Sequence, residues 1–271
     1  MHAFRVTVAE DDEDLATALL WEAGTVGIEV GAASEERVSL LAYFEDDVVL
    51  EVLRDRLADV RIEPVPISDV DWVARFRAGF RAFPVGRFVV APPWDRPLDT
   101  DGLLLIDPGR AFGTGTHETT RLCLGALEDF AARRPLGRVI DVGTGTGILA
   151  VAAAALGARV VVASDTDPEA TASAAAHARL NGARLHVVRG DGARPFRRGS
   201  FDLILANLTA PLLVVHASGL GGLRAPQGTL VLSGLLETDV GDVRATYAEL
   251  GTPAVRRDGE WAALVYEGAG R

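Results

Sequence analysis

The sequence predicts an α/β protein in which a doubly wound, mostly parallel sheet follows a smaller α+β unit. Three observations carry that expectation. From about residue 102 onward, short apolar runs alternate with helical repeats, as successive βα units do. Before that point the order is strand, helix, two strands, helix, strand. Between the two lies a proline-interrupted stretch with Pro64, Pro66, Pro84 and the pair Pro92-Pro93.

In the first unit, residues 4–8 alternate as a strand. Residues 13–23 place Leu15, Ala18 and Leu19, with Trp21, at helical spacing, and Gly24 stands just past the end as a C-cap. Strands over 27–32 and 38–43 follow, then a helix over 46–57 with Val49, Leu50 and Leu53 inward, then a strand over 60–65. The order β-α-β-β-α-β is that of a ferredoxin-like split unit, which by itself says nothing about function. Next, Ser68-Asp69 can cap a short amphipathic helix over 70–80 carrying Trp72, Phe76 and Phe80 at four-residue spacing, a stripe that reads as packing. The expected division is therefore 1–66, a linker helix at 67–82, and 83–271.

In the second unit, Leu122, Cys123 and Leu124 read as a buried helix face. A strand over 139–142 runs into a glycine-rich turn and an alanine-rich helix to residue 156. A strand over 160–164 leads to a helix over 168–180, started by Asp167 as N-cap with Pro168 at the first position and closed by Asn181-Gly182. Strands over 185–188 and 201–206, a helix over 211–223, a strand over 229–233, a helix over 237–250 and strands over 254–256 and 261–266 complete the set. Ligands of such sheets lie beyond the carboxyl ends of the strands, where the strand order reverses.

Composition excludes several chemistries. The 27 basic residues are all arginine, so there is no Schiff-base, P-loop or general-base lysine. The formal charge of −11 weighs against a nucleic-acid partner and suits a basic one by long-range steering. A single cysteine forms no internal disulfide and no thiolate metal site. His2, His177, His186 and His216 lack metal-ligand spacing and read as surface or packing residues, so no metal is expected. No apolar run reaches membrane-spanning length, and the acidic amino terminus lacks a signal peptide's basic flank. A cytoplasmic monomer without a membrane partner is the expectation.

The sharpest local signal is Asp141-Val142-Gly143-Thr144-Gly145-Thr146-Gly147, between a strand and a helix. Glycine there lets the backbone approach a ligand and adopt positive φ. The third glycine of the dinucleotide fingerprint would fall on Ile148, which disfavours a nicotinamide oxidoreductase. Asp165 ends the next strand, where a carboxylate can accept hydrogen bonds from ribose hydroxyls. Asn207, one of only two asparagines, stands at the carboxyl end of the strand over 201–206, just beyond it. Its amide oxygen offers an acceptor in the crevice that can orient a ligand's hydrogen-bond donor. Two plainer readings compete for Asn207, a cap on the following helix and a glycosylation sequon with Thr209. His117 reads as a first-turn helix residue after Thr116 as N-cap, in preference to a catalytic group.

The glycine turn and Asp165 together resemble the class I S-adenosylmethionine-dependent methyltransferases, with their Rossmann-like domain and seven-stranded sheet. The segment Asp107-Pro108-Gly109-Arg110-Ala111-Phe112-Gly113-Thr114-Gly115-Thr116-His117-Glu118-Thr119-Thr120 narrows this. So do Asp71-Trp72, Asn207-Leu208-Thr209-Ala210, Leu232-Ser233-Gly234-Leu235-Leu236 and Glu260-Trp261. Over nearly the whole chain, the sequence resembles the ribosomal protein L11 methyltransferases. The resemblance implies methyl transfer from S-adenosyl-L-methionine to amino groups, lysine ε-amines or the N-terminal α-amine, of ribosomal protein L11. It implies that Thr120 and Gly143 bind the methionine side of the cofactor, that Asp165 holds the ribose and that Asn207 sits beside the methyl group as the catalytic residue. Phe112, Thr116, Gly145 and Thr166 complete the implied cofactor contacts, and the amino-terminal unit becomes a substrate-recognition domain. Arg110 stands where that family more often has an apolar residue, and Thr146 replaces a serine. The competing functions are a class I methyltransferase acting on another protein, RNA or a small molecule, and a non-catalytic protein using the cofactor fold as a binding scaffold.

Overall fold

The computed structural model describes residues 2–25, 27–32, 37–44, 50–57, 59–66, 81–108 and 115–268. The chain divides into two compact units, Met1–Arg77 and Ala78–Arg271. The first contains β1 (His2–Ala9), α1 (Glu13–Glu22), β2 (Gly27–Ala32), β3 (Arg37–Phe44), α2 (Glu51–Arg56) and β4 (Arg61–Val65). Its sheet has the order β2-β3-β1-β4, with every neighbouring pair antiparallel. Strand alternation sends Val6, Val8, Leu40, Ala42 and Phe44 to one face, where they pack with Leu19 and Leu20 of α1 and Leu53 of α2. The buried face of α1 is Ala16, Leu19 and Leu20, whereas Leu15 is exposed, so the helix presents a stripe one residue later than the sequence spacing suggested. The expected linker helix over 70–80, with Asp71, Trp72, Phe76 and Phe80, lies outside the described residues, as does Val49.

The second unit opens with a three-stranded sheet of β5 (Phe83–Val85), β6 (Phe88–Ala91) and β7 (Leu103–Leu105). Strands this short carry too little alternation to be read from sequence. Then come α3 (Glu118–Arg133), β8 (Arg138–Val142), α4 (Ile148–Ala155), β9 (Val160–Asp165), α5 (Pro168–Leu180), β10 (His186–Arg189) and β11 (Phe201–Asn207). The unit closes with α6 (Ala210–Val215), α7 (Ala217–Leu223), β12 (Arg224–Leu236), α8 (Val240–Thr246), β13 (Ala254–Asp258) and β14 (Trp261–Glu267). The seven strands β8 to β14 form one sheet in the order β10-β9-β8-β11-β12-β14-β13. The first five are parallel neighbours, and β14 runs antiparallel to both β12 and β13.

Period-two alternation gives the sheet two apolar faces. Val139, Val161, Ala163, Leu203, Leu205 and Val231 pack with α3, α4 and α5. Ile140, Val142, Val162, Ile204, Leu230 and Leu264 pack with α6, α7 and α8. Cys123 is buried in the first of these cores, where desolvation, with the nearby Asp141 carboxyl adding to it, pushes its thiol up to about 12. The chain leaves β8 in one direction towards β9 and β10 and returns on the other side of β8 as β11, so the strand order reverses beside β8.

Two expected helices are interrupted. The helix over 211–223 is broken at His216, with φ −92° and ψ 6°, into α6 and α7. Three glycines, Gly219, Gly221 and Gly222, weaken the second half. The helix over 237–250 is a single α-helical stretch, α8, flanked by 3₁₀ turns at Glu237–Asp239 and Ala248–Leu250. Asn181 does more than close α5. Its amide donates to Leu105 O and His177 O, at 2.7 and 2.8 Å, and its oxygen accepts from Leu105 N at 2.7 Å. Among the described residues no helix is long and apolar enough to cross a membrane.

Candidate active site

The centre of the site is the turn after β8. Gly143, Gly145 and Gly147 have φ of +72°, +53° and +82°, a left-handed position at every second residue that only glycine occupies without strain. The N–H groups of Gly143 and Thr144 donate to Ser164 O, at 2.8 and 3.0 Å, which ties the turn to the end of β9. A Cβ at Gly143 would lie 2.3 Å from Leu208 Cδ2, and one at Gly147 would lie 2.9 Å from Ala174 Cα of α5. The turn is thus wedged between the β11 exit and α5. Beneath it, Asp141 is buried and its Oδ2 accepts the Thr144 hydroxyl at 2.6 Å. Burial pushes the Asp141 carboxyl up to about 7, against the opposing effect of that hydrogen bond.

Above the turn lies a cavity of about 590 Å³ at the carboxyl ends of the parallel strands. Gly143 and Gly145 line it from β8, Asp165, Thr166 and Asp167 from β9, and Gly190, Asp191 and Gly192 from β10. Asn207, Leu208 and Thr209 line it from β11, Leu212 from α6 and His216 from the α6–α7 junction, and Thr119, His117 and Trp261 face it together with Val142, Ala170 and Gly234. The sequence indicated the chemistry of Asp165, and the structure shows how it is held. Its Oδ2 accepts from Gly145 N at 3.0 Å and its Oδ1 from Asp167 N at 3.1 Å. Each carboxylate oxygen keeps acceptor capacity for a ligand hydroxyl.

Asn207 is the last residue of β11, in register with Ser233 of β12. Its Oδ1 is buried and has no hydrogen-bond partner. The N-cap of α6 is Thr209, so the capping reading of Asn207 does not hold. His117 is itself the N-cap of α3, accepting from Thr119 N at 3.3 Å, which corrects the expectation that Thr116 would cap. The His117 ring also stands edge-on to Trp261, with centroids 4.7 Å apart, so the cap residue is part of the cavity wall.

Of the residues singled out in the sequence, Gly143, Gly145, Asp165, Thr166 and Asn207 converge on this cavity. Thr120 is buried one residue behind the wall, with a hydroxyl that has no partner, and its neighbour Thr119 takes the lining position. Thr116 is exposed and off the wall, its carbonyl held by Arg121 Nη1 at 2.5 Å. Phe112 and Arg110 lie outside the described residues. Asp191 has no role in the sequence reading, although its signal is visible there, an acid between two glycines immediately beyond a strand. Leu212 and His216, on α6 and at its junction with α7, are set by an orientation that no local pattern gives. Trp261 belongs to the Glu260-Trp261 match in the sequence, where it carries no assigned role, and in the structure it is part of the cavity wall.

The wall carries Asp165, Asp167 and Asp191, and no arginine among the described residues. That balance disfavours phosphate ligands and suits a cationic centre such as a sulfonium or an ammonium. An unpartnered buried amide oxygen, a backbone cradle where a side chain would collide, and a carboxylate with spare acceptor capacity together fit a nucleoside carrying a cationic sulfur. Among the described residues no cluster of His, Cys, Asp and Glu could hold a metal ion.

Comparison with known proteins agrees with this chemistry. Residues 2–268 match the family model described as ribosomal protein L11 methyltransferase (PrmA). A ribosomal protein L11 methyltransferase of Geobacter sulfurreducens is 42% identical over 229 residues, covering 80% of this chain and 75% of the relative. One of Myxococcus xanthus is 34% identical over 279 residues and covers 96% of each chain. A crystal structure of a ribosomal protein L11 methylase from Lactobacillus delbrueckii subsp. bulgaricus superposes with a TM-score of 0.63 at 31% identity, covering 70% of this chain and 100% of that one.

Proposed function

The chain belongs to the ribosomal protein L11 methyltransferase family, and we infer from its crevice that it transfers methyl groups from S-adenosyl-L-methionine to amino groups of ribosomal protein L11. When bound, the cofactor supplies an activated methyl group for in-line displacement by nitrogen. Gly143 and Gly145 would cradle it through the backbone, and Asp165, with Thr166 beside it, would hold its ribose. Thr120, Phe112 and Thr116 are assigned to the cofactor by resemblance alone. The observation that carries the reading is the buried, unpartnered Oδ1 of Asn207 in the same cavity as the glycine turn.

Asn207 accepts a hydrogen bond from the incoming amine and fixes the direction of its lone pair. The harder requirement is the proton. A lysine amine of pKa ~10.4 is neutral in roughly one part in 2500 at pH 7, a cost of about 4.6 kcal/mol, whereas an α-amine near ~7.8 costs about 1 kcal/mol. Trp261, Leu208 and Leu212 line the cavity that holds Asn207. Desolvation against such side chains favours the neutral amine, and the proton leaves to water. The amino-terminal sheet order β2-β3-β1-β4 is the ferredoxin-like order, and we assign residues 1–66 to substrate recognition and 83–271 to catalysis, joined through 67–82. The enzyme then works as a soluble monomer that needs no nucleic-acid contact.

Incubation of the purified chain with methyl-labelled cofactor and either L11 or ribosomal RNA tests the reading. Label is expected in L11; label in RNA alone would move the activity to another substrate class. Deletion of residues 1–66 is expected to abolish L11 methylation while cofactor affinity, measured by calorimetry, stays within about twofold. Loss of cofactor binding in that deletion would contradict the division of roles.

A further inference from the structure

The sequence alone reads His177 as a surface or packing residue, but it occupies a junction. It is 4% exposed on α5. Its Nδ1 donates to Thr146 O of the glycine turn at 2.7 Å, and its Nε2 accepts from Asp107 N at 2.8 Å. Those two bonds require the neutral imidazole with its proton on Nδ1. Asp107 follows β7, whose Leu105 is held at both backbone groups by Asn181, one helical turn further along α5. At the other end of the same stretch of α5, Ala174 closes against Gly147. One face of α5 therefore grips the glycine turn at one end and the chain entering the 107–120 signature at the other.

We propose that His177 is a positioning residue of the cofactor crevice, the joint that holds the glycine turn and the β7 exit in one fixed relation. It touches neither cavity nor reacting atoms and acts through the Thr146 carbonyl and the Asp107 N–H. A rigid five-membered ring with a donor on one edge and an acceptor on the other spans the two groups at a smaller cost in side-chain entropy than a longer flexible amide. The inference rests on the reading that the Gly143–Gly147 turn receives S-adenosylmethionine.

Three variants of the full chain separate the two bonds. His177→Asn keeps a polar group near the Nδ1 position, His177→Gln keeps one near the Nε2 position, and His177→Leu keeps neither. Calorimetric Kd for S-adenosylmethionine, the methyl-transfer rate to L11 at saturating cofactor, and the thermal midpoint are measured for each. His177→Leu is expected to raise Kd about tenfold, the equivalent of one or two lost hydrogen bonds. His177→Asn and His177→Gln are expected to recover part of that loss, with the saturated rate within about twofold of the parent throughout. Amide exchange at Asp107 is expected to quicken in His177→Leu and His177→Asn but not in His177→Gln. A Kd unchanged in all three variants, whatever the thermal midpoint does, would reduce His177 to a packing residue and overturn the proposal. So would a fall in the saturated rate with Kd intact. If His177→Leu does not fold, the other two carry the comparison on the same criteria. Failure of the parent chain itself to bind the cofactor would overturn the functional reading, an outcome distinct from equal binding by parent and variants.

Discussion

The two asparagines of this chain occupy opposite circumstances in one unit. At the end of α5, the side-chain amide of Asn181 holds the edge strand β7 through two hydrogen bonds to Leu105 and makes a third to His177 O of its own helix. At the end of β11, Asn207 presents a buried oxygen with no partner to a cavity. A satisfied buried amide stabilises the fold, whereas an unsatisfied one carries an uncompensated desolvation cost until a ligand arrives. The contrast separates a structural asparagine from a functional one without reference to any relative.

The largest effect should come from the open amide. Asn207→Ala is expected to slow methyl transfer to L11 by about 10²-fold in single-turnover measurements, since a misoriented nucleophile forfeits that order of rate. A variant with the parent rate would remove Asn207 from the reaction. The stability comparison should run the other way. Asn181→Ala removes three hydrogen bonds and strands backbone groups of Leu105, which is expected to cost about 2–3 kcal/mol in urea unfolding. Asn207→Ala is expected to lie within about 1 kcal/mol of the parent. Equal losses at both sites would erase the contrast.

The same distinction recurs between two aspartates on neighbouring strands, and there the test is of sign. Asp165 faces the cavity, while Asp141 is buried beneath the turn with a carboxyl raised from 3.8 to about 7. Between those values the folded chain holds a proton that the unfolded chain has released. Asp141 therefore subtracts stability progressively as pH rises from about 4 to 7. Asn at this position keeps an acceptor for Thr144 and does not titrate. The stability of Asp141→Asn relative to the parent is expected to increase with pH across that window, read from denaturation midpoints. A flat difference would show that Asp141 is ionised in the fold.

Much of the site was legible because its signals are local. Gly143, Gly145 and Gly147 declare a backbone that must turn through positive φ, and Asp165 and Asn207 each end an apolar run that alternation identifies as a strand. Less legible was anything set by neighbours distant in sequence. Thr120 and Thr119 are adjacent, and only the rotation of α3 decides which of them faces the cavity. The break at His216 and the exposed Leu15 show the same limit, because helical periodicity gives the existence of a stripe more securely than its register or length.

By itself the sequence determined the α/β alternation, the glycine turn and the residue types at the strand ends, since these follow from backbone sterics and from apolar periods of two and 3.6 residues. Only the tertiary structure decided which asparagine is satisfied, which histidine joins the turn to β7, and that Asp191, His216 and Trp261 meet Asn207 around one cavity. The reason is physical. Hydrogen-bond satisfaction and desolvation depend on groups brought together by parallel strand order, and that order is fixed by packing on both faces of the sheet, well beyond the reach of any local run of residues.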